Sequence, residues 1–240
     1  MISIVVPVYN EEKTIAELHR RIVETLKKQA DSFEVIFIND GSTDKTYEEV
    51  SRLRPLKLIS FQKNYGETLA LDAGIETAGG DTLIFLDADL QDDPEDILLL
   101  LGKIGDGCGV VVGWRSRRRD NWRRIWFSRF ANALSRLVLG IKIHDFGCGL
   151  RAYKSEYIKN FRLWGRMQVF LPAIAKARGA KICEAVVSHN PRKIGFSKIK
   201  ISDMIKGGVG LLEILPYRYF LKPYRIVGPS YAVKEIKENK

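Results

Sequence analysis

The chain has 240 residues, 45% of them apolar and 28% charged, and a formal net charge of +10. Its length suits one substantial core rather than two full domains, and the composition excludes a largely disordered chain. The basic excess points to phosphate-bearing partners, for which nucleic acid, an anionic bilayer and a nucleotide-like substrate all qualify.

In chain order, ISIVVP (2 to 7), FEVIFI (33 to 38), LKLISF (56 to 61), TLIFL (82 to 86) and GVVVG (109 to 113) are continuously apolar. Strands covered on both faces have this pattern; half-exposed strands alternate. Segments with helical spacing lie between them, at 11 to 29, 44 to 53, 67 to 78 and 94 to 104. Asp93 is the expected N-cap of the last, with Pro94 at its first helical position. The alternation predicts an α/β fold with a mostly parallel, Rossmann-like sheet flanked by helices. Met1 runs straight into the first strand without the basic region, apolar segment or cleavage site of a signal peptide, so the protein is expected not to be secreted.

Past residue 113, WRSRRRDNWRRIW leads into a helix predicted over 122 to 139. Phe127, Phe130, Ala131, Leu134, Leu137 and Val138 make its apolar side, while Arg124, Ser128 and Asn132 recur every four residues and share one polar face. A helix near 168 to 177, a strand in ICEAVVSHNP and a basic loop, PRKIGFSK, follow. The last forty residues are amphipathic and end in the charged tail VKEIKENK. No window reaches the roughly 18 to 20 uninterrupted apolar residues that a membrane span needs. Cys108, Cys148 and Cys183 lie 40 and 35 residues apart, outside any close-spaced metal or disulfide pattern. That spacing favours a reducing cytosol, with Cys148 and Cys183 as small buried apolar groups.

FLDADLQDDPED packs six carboxylates into twelve residues of this basic chain. Open α/β sheets bind ligands beyond the carboxyl ends of their strands, which puts Asp87 and Asp89 where a substrate is expected. Two close carboxylates repel unless a cation lies between them, and hard oxygen ligands suit Mg²⁺ or Mn²⁺. Gln91 adds a neutral oxygen two residues on. Such a metal keeps positions open for diphosphate oxygens and stabilises a leaving nucleotide diphosphate. Asp92, Asp93, Glu95 and Asp96 need no such role, because carboxylates in a first helical turn favour the positive end of the helix dipole. A lone DxD is weak evidence. It has company in PVYNEE, NDGSTDKT and QKNYGE after the first three strands.

PVYNEE, NDGSTDKT, QKNYGETLALDAG, GGDTLIFLDADLQDDPE, GWR, HDFGCGLRAY and PRKIGFSK stand in the order and approximate spacing of family 2 glycosyltransferases with the GT-A fold. The chain most resembles the branch that transfers a sugar from a UDP- or GDP-sugar to a polyprenyl phosphate. The resemblance runs from about residue 2 to 203 and implies a catalytic domain over 1–203; the amphipathic basic segment 204–240 has aromatic residues among basic ones, which suits either a membrane interface or a C-terminal helix packed on the domain. It implies that Pro7, Tyr9, Glu11 and Asp40 line the nucleotide pocket, that Asp87 contacts the donor's ribose and sugar, and that Asp89 and Gln91 hold Mg²⁺ or Mn²⁺. Arg115, Arg124 and Ser128 then hold the acceptor phosphate, and Arg192, Ser197 and Lys198 belong to a loop that closes over the donor diphosphate.

A phosphate acceptor is already anionic, so it needs positioning and charge cover more than a general base. Asp145 is the base candidate if the acceptor is instead a hydroxyl of a polysaccharide or glycolipid; a silent nucleotide-sugar-binding or scaffold subunit is a further alternative. Interleaved Trp and Arg also suit single-stranded nucleic acid, but no nucleic-acid module accompanies them. Three departures from the family pattern stand out: Asn39 where many relatives have aspartate, Gln168-Val169 where bacterial relatives often carry His-Arg, and a basic tail where many continue into membrane helices. The tail implies a peripheral enzyme on the cytosolic membrane face, or one acting with an integral membrane partner.

Overall fold

The computed structural model describes residues 1–30, 32–116, 122–191 and 231–239. One sheet of eight strands, in the order β7-β5-β6-β4-β1-β2-β3-β8, organises them. β1 (Ile2–Val8), β2 (Phe33–Asn39), β3 (Leu56–Phe61) and β4 (Thr82–Phe85) pair in parallel, as do β5 (Val110–Trp114) and β7 (Ile182–Val186). Two strands run the other way: β6 (Arg151–Lys154) between β4 and β5, and β8 (Val233–Asn239) against β3.

The apolar runs are continuous because alternate residues of the same strand enter different cores. On one face Val5, Ile36, Ile38, Leu83 and Phe85 pack with α3 (Glu67–Thr77) and α6 (Met167–Ala177). On the other, Ile4, Val6, Val35, Phe37 and Ile84 pack with α1 (Ile15–Leu26) and α4 (Ile97–Gly105). All ten of these strand residues are at most 4% exposed, so neither face has a water side to impose alternation.

The expected elements are present with shifted ends. α1 begins at Ile15 instead of residue 11, because residues 9–14 turn at the sheet edge, with Asn10 at φ 54. α2 (Thr46–Ser51) is shorter than its pattern. Asp93 accepts from the Glu95 amide, capping a 3₁₀ turn (Pro94–Asp96) that leads into α4.

Two expectations are corrected, and the tail takes a form that its sequence pattern does not announce. Residues 233–239 of VKEIKENK form β8 on the same sheet, and Tyr231 stacks on Phe61 at 4.8 Å between ring centroids. The rest of the segment from residue 204 lies outside the described residues, apart from 231 and 232. Cys108 and Cys183 are paired as a disulfide, while Cys148 is free and buried. Parallel pairing of β5 with β7 sets Val111 against Cys183 and so carries Cys108 alongside, a contact that sequence spacing cannot signal. The pair removes the cysteine argument for a reducing compartment. Finally, α5 (Trp122–Leu139) spans the predicted residues, but Leu134 and Leu137 are exposed at 43% and 79%, while Ser135 and Leu139 are buried. No helix among the described residues is long and apolar enough to cross a membrane.

Candidate functional site

The loops that leave β1, β2 and β3 at their carboxyl ends are tied together by side chains. The Asn10 amide donates to Ser42 Oγ at 3.0 Å, the Thr43 amide donates to Asn10 Oδ1 at 2.8 Å, and the Glu11 amide donates to Thr46 Oγ1 at 2.8 Å. Gly41 sits at φ +66, and a Cβ there would strike the backbone of Lys63 and Asn64; glycine lets the second and third loops touch.

Between these loops lies a recess of about 560 Å³, lined by Tyr9, Asn39, Ser42, Ser60, Gln62 and Lys234 among others. Its size suits a nucleoside. Asp40 is not on this wall: its buried carboxylate accepts from the Tyr65 amide at 2.6 Å and the Gly66 amide at 2.9 Å, pinning the loop that opens α3. Burial raises its pKa, and those two amides lower it without cancelling the rise. Asn39 faces the recess instead, its Oδ1 accepting from the Ser42 amide at 3.1 Å. Glu11 stays at the start of α1, where Thr14 Oγ1 donates to it at 3.0 Å.

A second, narrow recess of about 20 Å³ opens beside Pro7, Glu67, Asp87, Arg151 and Gln168, with room for about one water-sized group. Asp87 lies against Gly149, where any Cβ would collide with the carboxylate. Burial pushes the Asp87 carboxyl well above the usual range, and the nearby carboxylates of Glu67, Asp92 and Asp89 push it further against the pull of Arg115. Glu67, the first residue of α3, lines this narrow recess; desolvation raises its carboxyl pKa and outweighs Arg151, Arg166 and a hydrogen bond from Gln168, which lower it. Gln168 also accepts from the Thr68 hydroxyl.

Asp89 Oδ1 accepts from the Gln91 amide at 3.1 Å, which folds the two candidate metal ligands around one turn. Asp93 and Asp96 serve the structure, as expected: Arg21 Nη2 donates to Asp93 at 2.5 Å and the Ser188 amide donates to Asp96 at 2.6 Å. Asp92 does not. It is 3% exposed, and its Oδ1 has no hydrogen-bond partner and stands 3.9 Å from His189 Nδ1. That oxygen lacks a hydrogen-bond donor among the described residues, and the Asp92 carboxylate lies near enough to Asp87 and to Arg115 to raise the pKa of both. Asp89 and Gln91 offer oxygen donors of the kind a hard divalent cation takes, but among the described residues no three His, Cys, Asp or Glu side chains are grouped to hold a metal ion.

Arg115 and Asp145, expected in different roles, form one unit. Arg115 Nε donates to Asp145 Oδ2 at 2.7 Å and Nη2 to Oδ1 at 3.0 Å, with the side chains 10% and 4% exposed. Burial opposes the arginine charge, but the Asp145 bonds outweigh it and raise the pKa. Arg124 and Ser128 lie four residues apart on the backbone of α5; their side chains, and all of Arg192, Ser197 and Lys198, are outside the described residues.

Sequence reading passed over Glu67, Arg151 and Lys234. Arg151 is a buried cation at the start of β6, donating from Nε to Cys148 O at 2.6 Å, from Nη1 to Gln168 O at 2.5 Å and from Nη2 to Phe146 O at 2.7 Å. A charge within GCGLRAY was the available signal. Lys234 reaches the nucleotide recess only because β8 returns to β3, which no local pattern announces.

Residues 3–162 match the family described as Glycosyl transferase family 2. A dodecaprenyl-phosphate galacturonate synthase of Rhizobium johnstonii is 34% identical over 237 residues, covering 95% of this chain and 70% of that protein. An undecaprenyl-phosphate 4-deoxy-4-formamido-L-arabinose transferase of Pseudomonas paraeruginosa is 36% identical over 204 residues, covering 82% of this chain and 60% of its own length. Among solved structures, glucosyl-3-phosphoglycerate synthase from Mycobacterium tuberculosis in complex with UDP superposes with a TM-score of 0.68 at 21% identity, over 91% of this chain and 79% of that one. The same synthase with Mn²⁺, UDP and glucosyl-3-phosphoglycerate gives 0.66, again at 21% identity over 91% of this chain and 79% of that one. The fold is thus the GT-A fold.

Proposed function

The chain belongs to glycosyl transferase family 2, and from that premise we propose that it transfers a sugar from a UDP- or GDP-sugar to a polyprenyl phosphate with inversion at the anomeric carbon. The observation that carries this reading is the Arg115–Asp145 pair. Both Asp145 oxygens accept from the guanidinium, so the acid that would serve as general base for a hydroxyl acceptor is occupied. What the pair offers is a positioned cation whose charge reaches Asp87. An acceptor that brings its own negative charge matches that arrangement, and the two relatives above are named for transfer to polyprenyl phosphates.

In this reading the 560 Å³ recess takes the nucleoside, with Tyr9 and Asn39 on its wall, and Asp87 at the mouth of the narrow recess orients the sugar. Mg²⁺ or Mn²⁺ held by Asp89 and Gln91 would supply positive charge to the departing diphosphate. Arg115, with Arg124 and Ser128 from α5, holds the acceptor phosphate in line with the anomeric carbon. Arg192, Ser197 and Lys198 cover the donor diphosphate. The exposed Leu134 and Leu137, further along α5, give the polyprenyl chain an apolar surface and seat the enzyme on the cytosolic membrane face.

Incubation with labelled UDP- and GDP-sugars and a short polyprenyl phosphate is expected to give a lipid-linked product, and the dephosphorylated polyprenol none. Product from the free alcohol would overturn the acceptor assignment. Failure to co-sediment with anionic vesicles at low salt, where such attraction is strongest, would overturn the membrane seat.

A further inference from the structure

β8 is the last strand of the sheet on the side of the nucleotide recess. Its inner edge pairs with β3 from Asn239 against Leu56 to Val233 against Phe61, with a bulge at Lys234 where the register shifts between Ser60 and Phe61, and its outer edge has no strand partner among the described residues. Five of its seven residues are exposed, including Ile236 at 62%. An edge without a strand partner is a template for another strand, and charged side chains and bulges are what discourage indiscriminate pairing. Here the charges alternate: Lys234, Glu235, Ile236, Lys237, Glu238.

We propose that the outer edge of β8 pairs antiparallel with the same edge of a second copy, about a two-fold axis at Ile236, joining the two sheets into one. In that register Glu235 lies opposite Lys237 of the second copy and Ile236 opposite its Ile236, with Lys234, at the bulge, beside its Glu238. The isologous symmetry doubles the two charge pairs to four. Each directly opposed pair of unlike charges contributes about 0.2–1 kcal/mol, and like charges so placed are destabilising.

The register is specified against its neighbours as well. A slip of one residue sets Lys234 against Lys237, or Glu235 against Glu238, depending on its direction. A slip of two sets Glu235 or Lys237 against its own copy. In-register parallel pairing sets every charge against itself. Of these pairings, the one centred on Ile236 alone avoids a like-charge contact, so the sequence of the edge selects its own mirror partner. The hydrogen bond from Tyr47 Oη to Glu235 at 2.6 Å uses one carboxylate oxygen and leaves the other for Lys237 of the second copy. Because Lys234 also lines the nucleotide recess, the interface adjoins the donor site.

Sedimentation velocity on the full chain, with two charge-exchanged chains, tests this. The wild-type chain is expected to show concentration-dependent dimerisation. Lys234→Glu with Lys237→Glu, and separately Glu235→Lys with Glu238→Lys, should each weaken self-association by about tenfold or more, and an equimolar mixture of the two should restore dimers. As a second measurement, Ile236→Cys should form a covalent dimer on mild oxidation, since directly opposed residues have Cα atoms about 4.5–5.5 Å apart, within disulfide reach; Glu238→Cys alone should not. A wild-type chain that stays monomeric across the accessible concentration range, undiminished dimers in either charge-exchanged chain alone, or the absence of a 236–236 crosslink would overturn the proposal.

Discussion

At the scale of single residues, the pairing of Arg115 with Asp145 changes what each is expected to do. If Asp145 positions Arg115, Asp145→Asn keeps neutral hydrogen bonds to the guanidinium and lowers kcat/KM modestly, by about tenfold, whereas loss of a general base costs about 10²–10⁴. Arg115→Ala removes the cation itself and should cost about 10²–10³, the range for deleting one electrostatic contact to developing charge. Steady-state kinetics of the two variants side by side decide between these roles. The sequence carried both residues as candidates because each sits in a recognisable motif. It did not carry their contact, because residues 115 and 145 meet only through the packing of β5 beside β6. Asp40 shows the converse: the motif NDGS is legible, but which of Asn39 and Asp40 faces the ligand depends on strand phase at the carboxyl end of β2, where one residue turns to the recess and the next to the loop.

At the scale of elements, the strand–helix alternation was legible because five strands are buried on both faces, and helices between them bury one stripe each. What stayed illegible were the short or charged strands. β6 has four residues with Arg151 inside it, and β8 is almost wholly exposed; neither has the apolar run that announces a strand, and both are defined by the neighbours they pair with. Charged groups between strands also tune stability. Glu34 on β2 accepts from Ser3 Oγ of β1 at 2.6 Å and from the Gly79 amide at 2.6 Å, with Lys57 of β3 at 3.5 Å. Burial works against its carboxylate, but these contacts outweigh burial and hold its pKa below the usual range. A depressed folded-state pKa means stability that is present above the unfolded value and lost as pH falls through the folded one. Glu34→Gln should therefore lower unfolding free energy at pH 7 by about 1–2 kcal/mol and flatten the acid limb. Urea unfolding at neutral and acid pH checks it; an unchanged acid limb contradicts it.

At the scale of the whole molecule, two links close the chain on itself between segments distant in sequence. The disulfide joins Cys108 to Cys183 across 75 residues, and β8 closes the other flank of the sheet. Cys183→Ser should lower stability by about 2–4 kcal/mol, measured by denaturant unfolding of oxidised wild type against the variant. Equal midpoints would mean that the bridge constrains nothing. The overall fold was readable from order and periodicity, whereas these closures rest on contacts between distant segments that no local signal encodes. The central claim remains the reaction, and its most direct measurement is transfer of label from a panel of UDP- and GDP-sugars to a short polyprenyl phosphate, with Mg²⁺, Mn²⁺ or chelator, for wild type and Asp89→Ala. A lipid-linked product from one donor, abolished by chelator and by Asp89→Ala, is the expected result. No lipid product from any donor while nucleotide binding persists, or product that survives both chelator and Asp89→Ala, would contradict it.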